Sequence, residues 1–245
     1  MNAFIPVLTA AIALFFALTV LDQYIQRRRP YQLLWSIALS LWFLGSLFQS
    51  LWEAGYTSDA VFRSWYLTGA MLVPAYLGTG TIYLLATRKV AHGVMAALLV
   101  CTVLAFLLVM TAVLQKPLDS LRPLDPQGEA LTGRGFFPFF PIVTLNILLN
   151  TYGTLTLVGG ALWSAIVFAR RRTMPYRVVS NILIAIGALA AATGGVLGRF
   201  GIPAPHAVAL LIGIVIIYIG FLRSQEMFQF YRFPFLGSHN ALKAP

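Results

Sequence analysis

The sequence predicts an all-α integral membrane protein: a seven-transmembrane helix bundle with its amino terminus outside and its carboxyl terminus inside. Three observations carry that prediction. Hydrophobic residues make up 59% of the 245-residue chain and charged residues only 10%, with a mean hydropathy of +0.82. A soluble domain is roughly half apolar and about a quarter charged. The apolar residues fall into runs close to the roughly twenty residues that a bilayer core requires. The basic residues, finally, alternate in density from one connection to the next. Helices are the expected form of the spans, because barrel strands would be about half as long and would alternate apolar with polar residues.

The first span is expected near 3–25. It has no basic segment before it and is longer than a usual signal-peptide core, so it reads as an uncleaved helix. The second, near 31–53, follows the basic run RRRPYQ and has proline at its start. The third, near 61–86, contains LVPAYLGTGTIYLL. There Pro74 is expected to kink the helix, and Gly78 and Gly80 to admit a close neighbour. Tyr76 and Tyr83, seven apart, share a face that reads as packing. The fourth, near 90–114, is almost purely apolar and holds the lone cysteine, Cys101. The fifth, near 138–169, is too long for one straight span, and Pro138 and Pro141 either bend it or set its start at the interface. The sixth and seventh are expected near 177–198 and 205–222. Residues 1–225 then form one transmembrane domain, and 226–245 a short cytoplasmic tail. That tail's apolar, aromatic MFQFYRFPFL suits docking on a partner or on the inner interface.

Orientation follows from the loops. On one side lie Arg27, Arg28, Arg29, Arg88, Lys89, Arg170, Arg171, Arg172, Arg177, Arg223, Arg232 and Lys243, twelve bases against Asp22 and Glu226, so 12 − 2 = +10. On the other lie Arg63, Lys116, Arg122, Arg134 and Arg199 against Glu53, Asp59, Asp119, Asp125 and Glu129, so 5 − 5 = 0. Bases accumulate on the cytoplasmic side of membrane proteins. The net charge of +10 therefore belongs beside anionic lipid headgroups, and nucleic acid is not an expected partner. Two basic loops also resemble one another, RRRPYQ and RRRTMPYR, each followed at matched distance by a glycine (Gly55, Gly201). This raises a repeat of helices one to three in five to seven, although topology and helix-initiating proline give the same signal without one.

Candidate site residues are the polar groups inside apolar runs, since they are costly in hydrocarbon. Ser46, Gln49, Ser50 and Glu53 are spaced i, i+3, i+4, i+7 and share one face of helix two. Asn146 and Asn150 sit one turn apart on helix five, with Thr154 one turn deeper. Arg63 and His206 lie near the same expected outer end. These eight (Ser46, Gln49, Ser50, Glu53, Arg63, Asn146, Asn150 and His206) are the expected lining of an outward-opening pocket, with Glu53 at its rim and the asparagines deeper. The alternative is that they are interhelical bonds of about 1 kcal/mol each, with Glu53 and Arg63 paired across the short turn.

Several chemistries lack their residues. The only lysines are Lys89, Lys116 and Lys243, so no amine in helix seven could form a retinal Schiff base. His92, His206 and His239 do not offer two haem ligands at one depth. No metal-binding spacing, phosphate-binding glycine loop or serine–histidine–acid set is visible. No acid lies near the middle of a span, which disfavours a proton-driven pump. The chain is expected to be no enzyme and to carry no cofactor.

Between Trp35 and Arg88 the run LWFLGSLFQSLWEAGYTSDAVFRSWYLTGAMLVPAYLGTGTIYLL resembles the seven-helix sensor region at the amino terminus of some bacterial histidine kinases. The features that match are Glu53 near the end of helix two, Trp65-Tyr66-Leu67, Pro74 and Tyr76. NILIAIGALAAATGGVLGRFGIPAPHAVALLIGIVIIYIGFLR is similar to that family's helices six and seven, but with AATGGVLG where proline and asparagine would be expected. The resemblance implies sensing from outside. With so little chain after helix seven, it also implies output through a separate protein partner rather than a fused kinase. The expected function is thus a non-enzymatic, receptor-like or sensory protein of the plasma (inner) membrane that binds a small ligand in its outer half. The alternatives are an accessory or structural subunit of a larger membrane complex, and a small-solute transporter of three-plus-one-plus-three layout.

Overall fold

A computed structural model describes residues 3–118, 133, 135–172, 174–199 and 206–224. The expected tail (226–245) and the Gly201 end of the possible repeat lie outside the described residues. Seven helices are long and apolar enough to cross a membrane, and there is no strand among the described residues. They are α1 (Phe4–Arg27), α2 (Pro30–Glu53), α3 (Asp59–Leu85), α4 (Arg88–Thr111), α5 (Thr144–Arg171), α6 (Pro175–Arg199) and α7 (His206–Ser224).

The helix ends follow local chemistry. Ser58 caps α3, its hydroxyl accepting from the Val61 amide at 3.2 Å, so the helix starts two residues before the expected position and takes in Asp59. α1 and α5 both end on an arginine in the left-handed conformation, Arg28 (φ 52°) and Arg172 (φ 49°), and each is followed by a helix that begins with proline, Pro30 or Pro175. The two similar basic loops thus share a backbone device as well as a sequence. The long fifth segment resolves into α5 and a preceding turn, Phe139–Val143, in which Phe140 is extended (φ −106°, ψ 132°). Pro138 precedes this turn and Pro141 lies within it, so both prolines and the kink at Phe140 stand before the start of α5.

Each helix has two flanking neighbours in the order α1, α2, α3, α5, α6, α7 and back to α1, a closed ring of six. α4 stands outside that ring, against α3. In this order α1–α2–α3 and α5–α6–α7 occupy corresponding places, as a parallel repeat requires.

α3 is the hub. Residues Tyr66–Leu72 are wound as a π-helix, immediately before Pro74. Such widened turns arise where one extra residue is accommodated in a helix, and they leave carbonyls free for other partners. Both ring neighbours approach α3 at backbone distance. Gly45 of α2 lies against Gly69, where a Cβ built on Gly69 would stand 3.1 Å from the Gly45 Cα, and Gly153 of α5 lies against the Pro74 carbonyl. Any larger side chain at these points would force the helices apart.

Candidate functional site

Helix two behaves as its pattern predicts. Ser46, Gln49 and Ser50 are 4%, 2% and 5% exposed, and Glu53 is half-buried. The stripe therefore faces protein and not lipid. Two of its donors bond within the helix. Gln49 Nε2 donates to Glu53 Oε1 at 3.0 Å, and the Ser50 hydroxyl donates to the Leu47 carbonyl at 2.7 Å. Glu53 Oε2 is enclosed and has no hydrogen-bond partner among the described residues. An enclosed carboxylate oxygen without a donor costs free energy, which makes this atom the open valence of the region.

The helix-five asparagines serve a different purpose. Asn146, 4% exposed, donates to the Tyr66 hydroxyl at 2.9 Å. Asn150 donates to the Ala70 carbonyl at 2.8 Å and to the Asn146 carbonyl at 2.9 Å. Ala70 is four residues before Pro74, which has no N–H, so the usual helical donor to that carbonyl does not exist. Asn150 supplies it from the neighbouring helix. The expected deep lining of a pocket is thus a lock between α3 and α5. Thr79 adds to it: its hydroxyl donates to Ala75 O at 2.8 Å, and Tyr152 of α5 donates to it at 2.9 Å.

Arg63 also departs from expectation. It does not pair with Glu53. Its Nε donates to Asp59 at 2.7 Å, four residues earlier on the same helix, and its Nη1 donates to the Val109 carbonyl. With 8% exposure, it caps the carboxyl end of α4, where the helix dipole favours a cation. Two tyrosines on α3 continue this attachment. Tyr76 donates to Thr102, whose own proton goes to Leu98 O, at 3.2 Å, and Tyr83 Oη lies 2.8 Å from His92 Nδ1. The Tyr76/Tyr83 face is packing, as its spacing suggested, and its partner is α4.

His206 begins α7 beside Gly194 of α6, with its Nδ1 enclosed and unpaired among the described residues. Among the described residues, no hydrogen bond or ion pair joins it to Glu53, Arg63 or the asparagines. The eight expected site residues therefore divide into four sets. The α2 stripe is one, the Asn146/Asn150 lock is the second, the Arg63 cap is the third, and His206 is the fourth.

An aromatic cluster closes the Glu53 end of α3. Phe62, fully buried, stacks on Phe137 (centroids 5.7 Å apart, planes at 11°) and touches Trp52, Trp65 and Phe136 at 5.8, 5.9 and 5.3 Å. Tyr66 lies 4.5 Å from Phe137. In the sequence FFPFF the first pair turns inward and the second outward, Phe136 and Phe137 being 3% and 1% exposed against 69% and 78% for Phe139 and Phe140. The Phe136–Phe137 pair was missed in the sequence. Its signal was Pro138, which stands between an enclosed and an exposed pair of phenylalanines. Among the described residues, no group of three or more His, Cys, Asp or Glu side chains gathers to hold a metal.

The chain matches no protein-family model, no curated protein and no solved structure.

Proposed function

We propose that this is a non-enzymatic, receptor-like or sensory seven-helix protein of the plasma membrane, with its amino terminus outside and carboxyl terminus inside. It binds a small ligand at the outer end of α2 and signals through a protein partner. The observation that carries the reading is Glu53. One carboxylate oxygen is fixed by Gln49, while the other is enclosed without a partner at the end of a buried polar stripe. A residue serving packing alone would have both oxygens satisfied or in water. The ligand set therefore contracts to Ser46, Gln49, Ser50 and Glu53, since Arg63, Asn146 and Asn150 are committed to bonds between other helices.

The test is native mass spectrometry of the protein taken from its own membranes in lipid nanodiscs. A small molecule should accompany the wild-type chain and be lost from Glu53→Gln. A wild-type spectrum with no bound small molecule overturns the reading. A second reading, the accessory subunit, draws on the commitment of Arg63, Asn146 and Asn150 to helix–helix bonds. It takes precedence if the same preparation yields a stoichiometric protein partner and no ligand.

A further inference from the structure

Resting on the ligand-binding reading above, we propose that the Glu53 site selects a small organic cation, an ammonium group with hydrogens to donate. The argument is a census of donors and acceptors within one turn of α2. One of the two Gln49 Nε2 hydrogens is committed to Glu53 Oε1, and the Ser50 hydroxyl hydrogen to Leu47 O. An ionised carboxylate has no hydrogen to give. What the turn has left is one amide hydrogen, on Gln49 Nε2, against the lone pairs of Glu53 Oε2, Gln49 Oε1 and Ser50 Oγ, so acceptors predominate and one of them carries the charge. A ligand that brings only acceptors, such as a carboxylate or phosphate, would find one amide hydrogen there and otherwise face oxygen against oxygen beside a negative charge. A primary ammonium brings three donors and the opposite charge, and a charge-assisted bond is roughly twice as strong as a neutral one.

The far end of the same helix gives the contrast. Gln32 is 1% exposed and its Oε1 is likewise unpaired, but the side chain is neutral and its Nε2 points at Gln23 Oε1 across 3.4 Å. It is an acceptor without a charge. Only the Glu53 end combines an open acceptor with a negative charge. Breaking such a pairing by removing the ligand leaves a desolvated carboxylate, so occupancy should stabilise the fold measurably.

The probes are n-propylammonium, 1-propanol and propionate, matched in size and differing in charge, added to the protein in nanodiscs at constant ionic strength. The readout is the thermal unfolding midpoint followed by tryptophan fluorescence. Propylammonium alone should raise the midpoint saturably. Glu53→Gln should weaken its apparent affinity at least tenfold, and Gln49→Leu, which frees Glu53 Oε1, should change it less. Ser40→Ala, exposed on another face of α2, should leave the response unchanged. If Glu53→Gln does not fold, Glu53→Asp serves, with the expectation of weaker binding and unchanged preference for the cation. A larger response to propionate, or an equal one to propanol, overturns the proposal. So does a propylammonium response that survives Glu53→Gln. Silence from all three probes also overturns it, and the ligand retained from native membranes then decides separately whether the site itself stands.

Discussion

α3 and α4 are neighbours of similar length, and they are opposites. α3 has a mean hydropathy of 1.2 in its most apolar window and is 61% buried there, whereas α4 scores 2.7 and is 17% buried. In a soluble protein the more apolar helix would be the inner one. In a bilayer that order reverses, because lipid solvates Leu and Val as well as protein does and the hydrophobic effect no longer sorts helices. What places α3 at the hub is its glycines, its hydroxyls and its broken backbone, each of which needs a protein partner. α4 needs none, and hangs on α3 through Arg63, Tyr76 and Tyr83.

The strongest way to break this contrast is to deny α3 its close approach. A side chain at Gly153 would overlap the Pro74 carbonyl, an atom that cannot move without moving the helix. Gly153→Val should therefore cost about 3 kcal/mol or more, the upper end of overpacking penalties, read by unfolding in mixed micelles. Stability equal to wild type would mean that α3 and α5 do not meet there.

A smaller effect tests the polar lock. Asn150→Leu removes the donor to Ala70 O and should cost about 1–2 kcal/mol, the range of interhelical hydrogen bonds in membranes. Pro74→Ala restores a backbone N–H that can serve the same carbonyl. In that background the cost of Asn150→Leu should fall by at least about 0.5 kcal/mol, a coupling within reach of a double-mutant cycle. Strictly additive costs would show that Asn150 does not stand in for the missing amide.

The spans were legible because a bilayer imposes length and apolarity on each one separately. The burial of Ser46, Gln49 and Ser50 was legible too, since helical period puts them on one face and lipid will not take that face. Pairings were not. The alternative that paired Arg63 with Glu53 goes with a third helix expected from near residue 61, which leaves Asp59 outside it. Once Ser58 caps the helix, Asp59 and Arg63 stand one turn apart and the local ion pair wins over the longer reach. The role of Asn150 was encoded in Pro74, whose lost donor fixes which carbonyl is free. The helix that answers it is 76 residues away in sequence, and no periodicity specifies that. The Glu53 carboxylate shows the same limit, as its place was readable but its unpaired oxygen was not.

The smallest effect compares one substitution in the two helices. A Cβ at Gly93 of α4 meets nothing within 4 Å, whereas at Gly69 of α3 it would lie 3.1 Å from the Gly45 backbone. Alanine is the better helix former by about 0.5–1 kcal/mol in a helix interior. Gly93→Ala should then stabilise the purified protein slightly, and Gly69→Ala should destabilise it, because the gain in propensity is overridden where α2 has no room to yield. The sign, more than the size, is the prediction, since propensity differences shrink away from water. Carrying out the Gly93 measurement twice, in purified protein and in native membranes, sharpens the comparison further. If the substitution stabilises in both, the Gly93 face of α4 meets only lipid. If it stabilises the purified chain but destabilises it in native membranes, a partner packs against that face, and the accessory-subunit reading gains a surface.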